Sequence, residues 1–283
     1  MPVRIVQSKQ NARLKELRKA LARPGRDTHG LAGIEGPHLI EEAFRAGLRV
    51  KTIFASSKEG VGIDIIDPSP GAPHSEAEVL LVPGGLLNSM LETESPQAVA
   101  ALVEMPDWTW AHILHDRGGR SPLVIVLAGV QDPGNLGTIV RSAEAFGATG
   151  VVALPGTVSA WNPKAVRASA GSIFRMPLVA ANAKECFDKL REAGARILTT
   201  DVRGTAQAHE ANLTGPVAFL IGNEGNGVPP DVATHADGAL TIPCPGPVES
   251  LNAAVAASVL LYEASRQRSA ASHGRHKLRG STR

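Results

Sequence analysis

The chain has 283 residues, of which 43% are hydrophobic and 20% charged, a balance that excludes a disordered polymer and suits one large domain or two ordinary ones. No stretch approaches the roughly 20 apolar residues of a membrane span, and the start lacks a small-residue cleavage pattern, so neither a membrane anchor nor a signal peptide is predicted. The formal net charge is only +2, and the two cysteines, Cys186 and Cys244, are too few for a disulfide framework or a zinc site; they read as free thiols in a reducing cytoplasm.

The charge is concentrated at the two ends. Arg4, Lys9, Arg13, Lys15, Arg18, Lys19, Arg23 and Arg26 face only Glu16 and Asp27 in the first thirty residues, whereas Glu59 to Asp116 is acidic. After Glu263 the chain turns basic again, with Arg266, Arg268, Arg275, Lys277, Arg279 and Arg283 beside His273 and His276. Such ends are the electrostatic footprint of a polyanion partner.

In chain order, Leu14, Leu17 and Leu21 predict a helix over Asn11 to Ala22, ended by Pro24-Gly25. Leu39, Ile40, Ala43 and Phe44 form a second helical stripe between Gly36-Pro37 and Gly47. Val50 to Ala55 reads as a strand, Pro68 to Pro73 as turns, Gly84 to Leu91 as a helix and Ala98 to Val103 as extended chain. Residues 1–105 therefore form a small α/β unit. Residues 106–121, with Pro106, Gly118-Gly119 and Pro122 around Trp108, Trp110, His112 and His115, have the composition of a linker. His112, His115 and Asp116 lack a fourth ligand, so no metal is expected there.

The second half is more regular. Leu123 to Ala128 is a continuous apolar run, the mark of a strand buried on both faces of a parallel sheet. A helix over Leu136 to Phe146 and a strand over Val151 to Leu154 follow. Next come a helix over Ala183 to Ala193 stopped by Gly194, and strands over Arg196 to Thr200, Val217 to Ile221 and Ala239 to Ile242. A long helix over Glu249 to Arg268 closes a doubly wound α/β domain of residues 122–268, and residues 269–283 form a basic tail.

Three Gly/Pro-rich loops follow strand ends, where open α/β sheets place ligands. They are Gly129-Val130-Gln131-Asp132-Pro133-Gly134-Asn135-Leu136-Gly137, Ile221-Gly222-Asn223-Glu224-Gly225-Asn226-Gly227-Val228-Pro229, and Ile242-Pro243-Cys244-Pro245-Gly246-Pro247-Val248-Glu249-Ser250-Leu251-Asn252. The glycines of the second run in the reverse order of a dinucleotide fingerprint, and no phosphate-loop motif occurs, which sets aside nicotinamide chemistry and nucleotide hydrolysis.

These loops, in this order, resemble the three signature motifs of the SpoU/TrmH family, within the SPOUT class of RNA methyltransferases. The resemblance runs from about Pro122 to Arg268 and includes Asn162-Pro163-Lys164 and Arg167-Ala168-Ser169-Ala170-Gly171. The amino-terminal unit is similar to the small RNA-binding domain of ribosomal-RNA members, most clearly at Ile34-Glu35-Gly36-Pro37-His38-Leu39-Ile40-Glu41-Glu42-Ala43. The resemblance implies a SPOUT-type α/β domain with a parallel sheet and a trefoil knot, preceded by a small α/β RNA-binding domain. It also implies a homodimer, S-adenosylmethionine as cofactor, and transfer of its methyl group to a ribose 2′-hydroxyl of structured RNA in the cytoplasm. It assigns cofactor contacts to Gly222, Ile242 and Leu251, with Thr199 and Thr200 as neighbours. Asn135 and Arg141 fall on catalytic positions, and Glu224, Ser250 and Asn252 are grouped with them, Glu224 reading equally as a loop cap that the family keeps near the site. Ser250 and Asn252 serve as helix caps with an added site contact.

A ribose hydroxyl is a poor nucleophile, so it needs alignment with the methyl group and stabilisation of the developing alkoxide. Guanidinium is not deprotonated in proteins. Arg141 is therefore read as binding the adjacent phosphate and stabilising the alkoxide, with the phosphate or a water taking the proton. Ribosomal RNA is the leading substrate because of the amino-terminal domain. A transfer-RNA ribose methyltransferase and a non-catalytic RNA-binding ribosome-assembly protein are the other readings. The scarcity of aromatic residues, with Tyr262 the single tyrosine, favours recognition by shape and backbone over base stacking.

Overall fold

The computed structural model describes residues 3–25, 29–57, 77–91, 99–114, 121–201, 204, 206–247 and 250–280. Pro68 to Pro73, His115, Asp116, Gly118-Gly119, Val248 and Glu249 lie outside the described residues. The chain forms two compact units: unit 1 is Met1–Asp107 with Trp161–Arg175, and unit 2 is Trp108–Ala160 with Met176–Arg283.

Unit 1 is built on a five-stranded sheet of β1 (Val3–Ile5), β2 (Leu31–Glu35), β3 (Val50–Ser56), β4 (Glu78–Val82) and β5 (Val99–Glu104), ordered β1-β4-β3-β5-β2. β1, β4 and β3 run parallel, and β5 is antiparallel to β3 and β2. Helix α1 (Ala12–Ala22) begins where the Asn11 side chain accepts from the N–H groups of Arg13 and Leu14. Its Leu14, Leu17 and Leu21 join Phe54, Leu80, Val82 and Leu102 in the core. β2 was not legible in the sequence because Ala32 and Gly33 are poor strand formers. Tertiary packing needs the glycine, since a Cβ on Gly33 would sit 2.8 Å from the Leu21 side chain. Helix α2 (Pro37–Arg45) buries Leu39, Ile40 and Ala43, and α3 (Gly84–Asn88) is shorter than the periodicity predicts.

Unit 2 carries an all-parallel sheet of seven strands. They are β6 (Leu123–Ala128), β7 (Gly150–Ala153), β8 (Leu178–Ala180), β9 (Arg196–Thr200), β10 (Ala206–Gln207), β11 (Val217–Gly222) and β12 (Gly238–Thr241), in the order β10-β12-β9-β11-β6-β7-β8. The described part of the expected linker is structured. It contains helix α4 (Trp110–Leu114), whose Ile113 is fully buried against Gly150 and whose Trp110 indole donates to Glu185 at 2.8 Å. Its buried Ile113 fastens it to the sheet, a packing contact that Pro and Gly content does not encode.

Helices α5 (Pro133–Ala145) and α7 (Ala183–Glu192) cover the sheet, while α6 (Pro163–Ser169) belongs to unit 1 and packs on β2. Cys186, Phe187 and Leu190 of α7 pack against Val124, Val126, Val152, Ile197, Ala218 and Leu220. Burial pushes the Cys186 thiol up to about 12, so it is a core residue rather than a nucleophile. After α8 (Pro230–Ala233), the last helix, α9, spans Ala253–Gly280 and packs on α5 and β11. It begins later than expected and continues through most of the predicted tail.

Arg268 is part of this packing rather than of a polyanion footprint. Its guanidinium donates to the carbonyls of Ser121 (2.6 Å), Pro122 (3.0 Å), Leu213 (3.0 Å) and Gly215 (2.6 Å). Arg266 is likewise held by Glu263 at 2.7 Å.

Candidate active site

Every strand pair in unit 2 is parallel, so the loops after β6, β9, β11 and β12 leave the same edge of the sheet. The registers bring them side by side: Gly222 pairs with Ala128, Leu220 with Thr199, and Leu240 with Thr200. From β6 the chain continues to β7 on one side, and from its neighbour β11 to β12 on the other, a topological switch point of the kind that opens a ligand crevice.

The loop after β6 ends in α5, with Pro133 in its first turn. Asp132 is the N-cap, its carboxylate accepting from the Asn135 N–H at 2.8 Å. The loop after β11 folds back through the Asn223–Gly227 bridge. Gly222 is required there for space: a Cβ would lie 2.1 Å from the Gly227 carbonyl carbon and 2.2 Å from the Val228 nitrogen.

The two loops are tied together by a carboxylate. Glu224 accepts from the N–H groups of Gln131 and Asp132, both at 3.3 Å, and from Asn135 Nδ2 at 2.9 Å. The third loop joins at Asn135 Oδ1, which accepts from Asn252 Nδ2 at 3.0 Å. Asn252 Oδ1 then caps α9 by accepting from Ala254 N (2.9 Å) and Val255 N (3.3 Å). An ionised carboxylate only accepts and the helix N–H groups only donate, so both amide orientations follow from the ends of the chain.

Burial of the Glu224 carboxylate works against ionisation. The Asn135 amide and the N–H groups of Glu224, Gln131 and Asp132 outweigh it and hold its pKa below the usual carboxylate value.

The structure thus brings together Asn135, Glu224 and Asn252. Each amide end of Asn135 is already engaged once, leaving one N–H and one lone pair for a substrate hydroxyl. Arg141 lies six residues further along α5, about 9 Å by the helical rise, and is exposed. It makes no side-chain hydrogen bond or ion pair among the described residues. Ser250 is also exposed and does not cap α9; Asn252 alone does so.

Of the residues expected to contact the cofactor, Thr199, Thr200, Ile242 and Leu251 are half-buried and Gly222 is buried. Apolar surface from Ile242 and Leu251, hydroxyls from the two threonines and loop backbone make a donor set that fits an adenosine-bearing ligand.

Asn223 was missed by sequence reasoning. Its Nδ2 donates to the Gly129 carbonyl at 3.0 Å, and its Oδ1 accepts from Gly225 N at 2.9 Å and Asn226 N at 3.2 Å. An Asn two residues before a Gly is a turn signal, but its cross-loop bond is visible only in three dimensions. Among the described residues no cluster of His, Cys, Asp or Glu could hold a metal, and no helix is long and apolar enough to cross a membrane.

Comparison with known proteins covers both units. The model of the SpoU rRNA Methylase family matches residues 122–262, and that of the MRM3-like substrate binding domain matches residues 11–101. The chain is 32% identical to a 23S rRNA (guanosine(2553)-2′-O)-methyltransferase, RlmP, of Bacillus subtilis, over 91% of this chain and 97% of the relative. It is 33% identical to a 23S rRNA (guanosine-2′-O-)-methyltransferase, RlmB, of Xanthomonas campestris, over 84% and 86%. The crystal structure of the SpoU methyltransferase AviRb from Streptomyces viridochromogenes in complex with AdoMet superposes with a TM-score of 0.79 at 31% identity. That match covers 92% of this chain and 98% of the other. An AdoMet-bound rRNA methyltransferase from Sinorhizobium meliloti has a TM-score of 0.79 at 28% identity, covering 93% and 98%.

Proposed function

The chain belongs to the SpoU rRNA methylase family, and from that premise we propose that it is an S-adenosylmethionine-dependent 2′-O-ribose methyltransferase whose substrate is ribosomal RNA. The observation that carries this reading is the hydrogen-bonded chain Glu224–Asn135–Asn252, which gathers three loops at the carboxyl edge of a parallel sheet. The ribosomal substrate is supported by relatives of matching length that are named for 23S rRNA.

Thr199, Thr200, Gly222, Ile242 and Leu251 would hold S-adenosylmethionine, which supplies the electrophilic sulfonium methyl group when bound. The remaining N–H and lone pair of Asn135 position the ribose hydroxyl, and Glu224 and Asn252 keep that amide from rotating. Arg141, free of internal partners among the described residues, binds the neighbouring phosphate and stabilises the developing alkoxide. The hydroxyl proton passes to that phosphate or to a water. Ser250 contributes a hydroxyl at the mouth of the third loop.

The same reading includes a knotted carboxyl-terminal fold, a cytoplasmic location and a homodimer. The dimer is supported by exposed Val255, Val259 and Tyr262, which line a shallow apolar depression with Phe146 and Thr138 of unit 2. Thr138 and Arg141 are three residues apart on one face of α5, so a partner covering the depression would approach Arg141. Light scattering at working concentration should give twice the chain mass, and a monomer mass would remove the dimer.

The decisive experiment has two stages. Calorimetry should show micromolar binding of S-adenosylmethionine or S-adenosylhomocysteine, and folded protein that binds neither would end the methyltransferase reading. Ribose-methylation mapping of RNA from cells with and without the protein should then reveal one missing methyl group in ribosomal RNA. A missing group in transfer RNA would redirect the substrate.

A further inference from the structure

Among the described cations of unit 1, two groups stand apart. Arg4 and Arg13 approach Glu78 at 3.5 and 3.4 Å, and Arg13 also holds Glu16 at 2.8 Å. Arg45 and Arg175 both reach Glu42 at 2.7 Å, Arg49 and Lys51 share Glu104 at 3.5 and 3.2 Å, and Arg167 lies 3.6 Å from buried Glu35. Lys9, Lys15, Arg18, Lys19 and Arg23 differ. All five are exposed, and none forms an ion pair among the described residues.

These five sit on α1 and its flanks. At 3.6 residues per turn, buried Leu14, Leu17, Ala20 and Leu21 occupy one side of the helix, and Lys15, Arg18 and Lys19 share a sector of about 100° on another. Arg13 and Glu16, already paired, lie on the opposite flank. Like charges at spacings of three and four residues repel; the one acid of α1, Glu16, is taken up by Arg13 at 2.8 Å, and among the described residues no acid forms an ion pair with Lys15, Arg18 or Lys19.

We infer that this ridge of Lys15, Arg18 and Lys19, flanked by Lys9 and Arg23, is the surface on which unit 1 docks RNA through its phosphates. The identity of the ligand rests on the methyltransferase reading; the location rests on the sorting of charges. The exposed residues of α1 include no aromatic and no large apolar side chain, and its apolar face is spent on the core. That composition suits neither base stacking nor insertion into a membrane surface. It suits sequence-independent contact with a phosphate backbone.

The test uses the full chain and fluorescence anisotropy with a labelled RNA hairpin of arbitrary sequence over a salt series. Replacing Lys15, Arg18 and Lys19 together by Glu should weaken binding by about tenfold or more and lower the salt slope by about one per lost phosphate contact. If the reversal harms folding, the triple Gln variant should show the same change in slope. Arg49→Gln with Lys51→Gln, which removes two paired cations, should leave affinity and slope near wild type. The inference is overturned if the triple variant binds like wild type, if the control variant weakens binding equally, or if the wild type ignores the hairpin. S-adenosylhomocysteine affinity, measured in parallel, reports on the methyltransferase reading alone. Its loss with the α1 effect intact would sink that reading and leave the docking surface standing.

Discussion

The two units use polar residues in opposite ways. At the carboxyl edge of the parallel sheet, Glu224, Asn135 and Asn252 are linked by directional hydrogen bonds of 2.9 and 3.0 Å, each group oriented by the next. On α1 the cations Lys15, Arg18 and Lys19 have no ion-pair partner among the described residues; they are a ridge of charge on exposed stems. A site that aligns a weak nucleophile depends on angles, so small displacements are costly. A surface that gathers a polyanion depends on how many charges remain uncompensated, so it degrades one charge at a time. Substitutions should therefore act sharply in the first region and gradually in the second.

The sharpest contrast is expected at Arg141. Arg141→Ala should lower single-turnover methyl transfer by about 10²–10³-fold, the usual effect of losing one group that stabilises developing negative charge. Affinity for S-adenosylhomocysteine should stay near wild type, because the assigned role is at the hydroxyl and phosphate. Arg141→Lys should rescue little, since an ammonium cannot reproduce the planar fork. Near-wild-type turnover in Arg141→Ala would return this residue to the surface.

Gly222→Ala probes the backbone beneath the same site. The added Cβ would collide with the Gly227–Val228 peptide, and because both contacts are main chain the loop must shift. Overpacking of this kind costs about 1–3 kcal/mol. Chemical denaturation should show that loss, and calorimetry should show weaker cofactor binding. Unchanged cofactor affinity would separate this loop from the cofactor pocket.

Glu224→Gln is the gentlest of the three because it preserves shape. The folded-state pKa of Glu224 is depressed, so its carboxylate contributes stability above the ordinary carboxylate range and loses it as pH falls through the folded value. The wild type should therefore melt above Glu224→Gln near pH 7, and the gap should narrow as pH falls below the ordinary carboxylate range. A gap independent of pH would mean that packing, not charge, holds the loop. Methyl transfer at pH 7 should drop because a glutamine can present an N–H to Asn135 and disturb its orientation.

Much of unit 2 was legible in the sequence. The six apolar residues of β6 announced a strand buried on both faces, and the ordered loops carried enough signature to name the family. Unit 1 was less legible. β2 contains Ala32 and Gly33, and β1 is three exposed residues that gain strand structure by pairing with β4. The helix Trp110–Leu114 was hidden among prolines and glycines, because its stability comes from burying Ile113 rather than from local propensity.

By itself, then, the sequence determined the alternation of strands and helices, the three loops, and the side chains available for chemistry. All of these depend on residue type, periodicity and spacing along the chain. Tertiary structure decided which of those side chains meet. It placed Asn252, 117 residues from Asn135, within hydrogen-bond reach, and it gave Asn223 a partner at Gly129. It also turned Arg268 from an expected polyanion-facing cation into a clasp on four carbonyls, while leaving Lys15, Arg18 and Lys19 without an ion-pair partner among the described residues. Pairing of this kind is a matter of ångströms through space, and a linear pattern of charges contains no record of it.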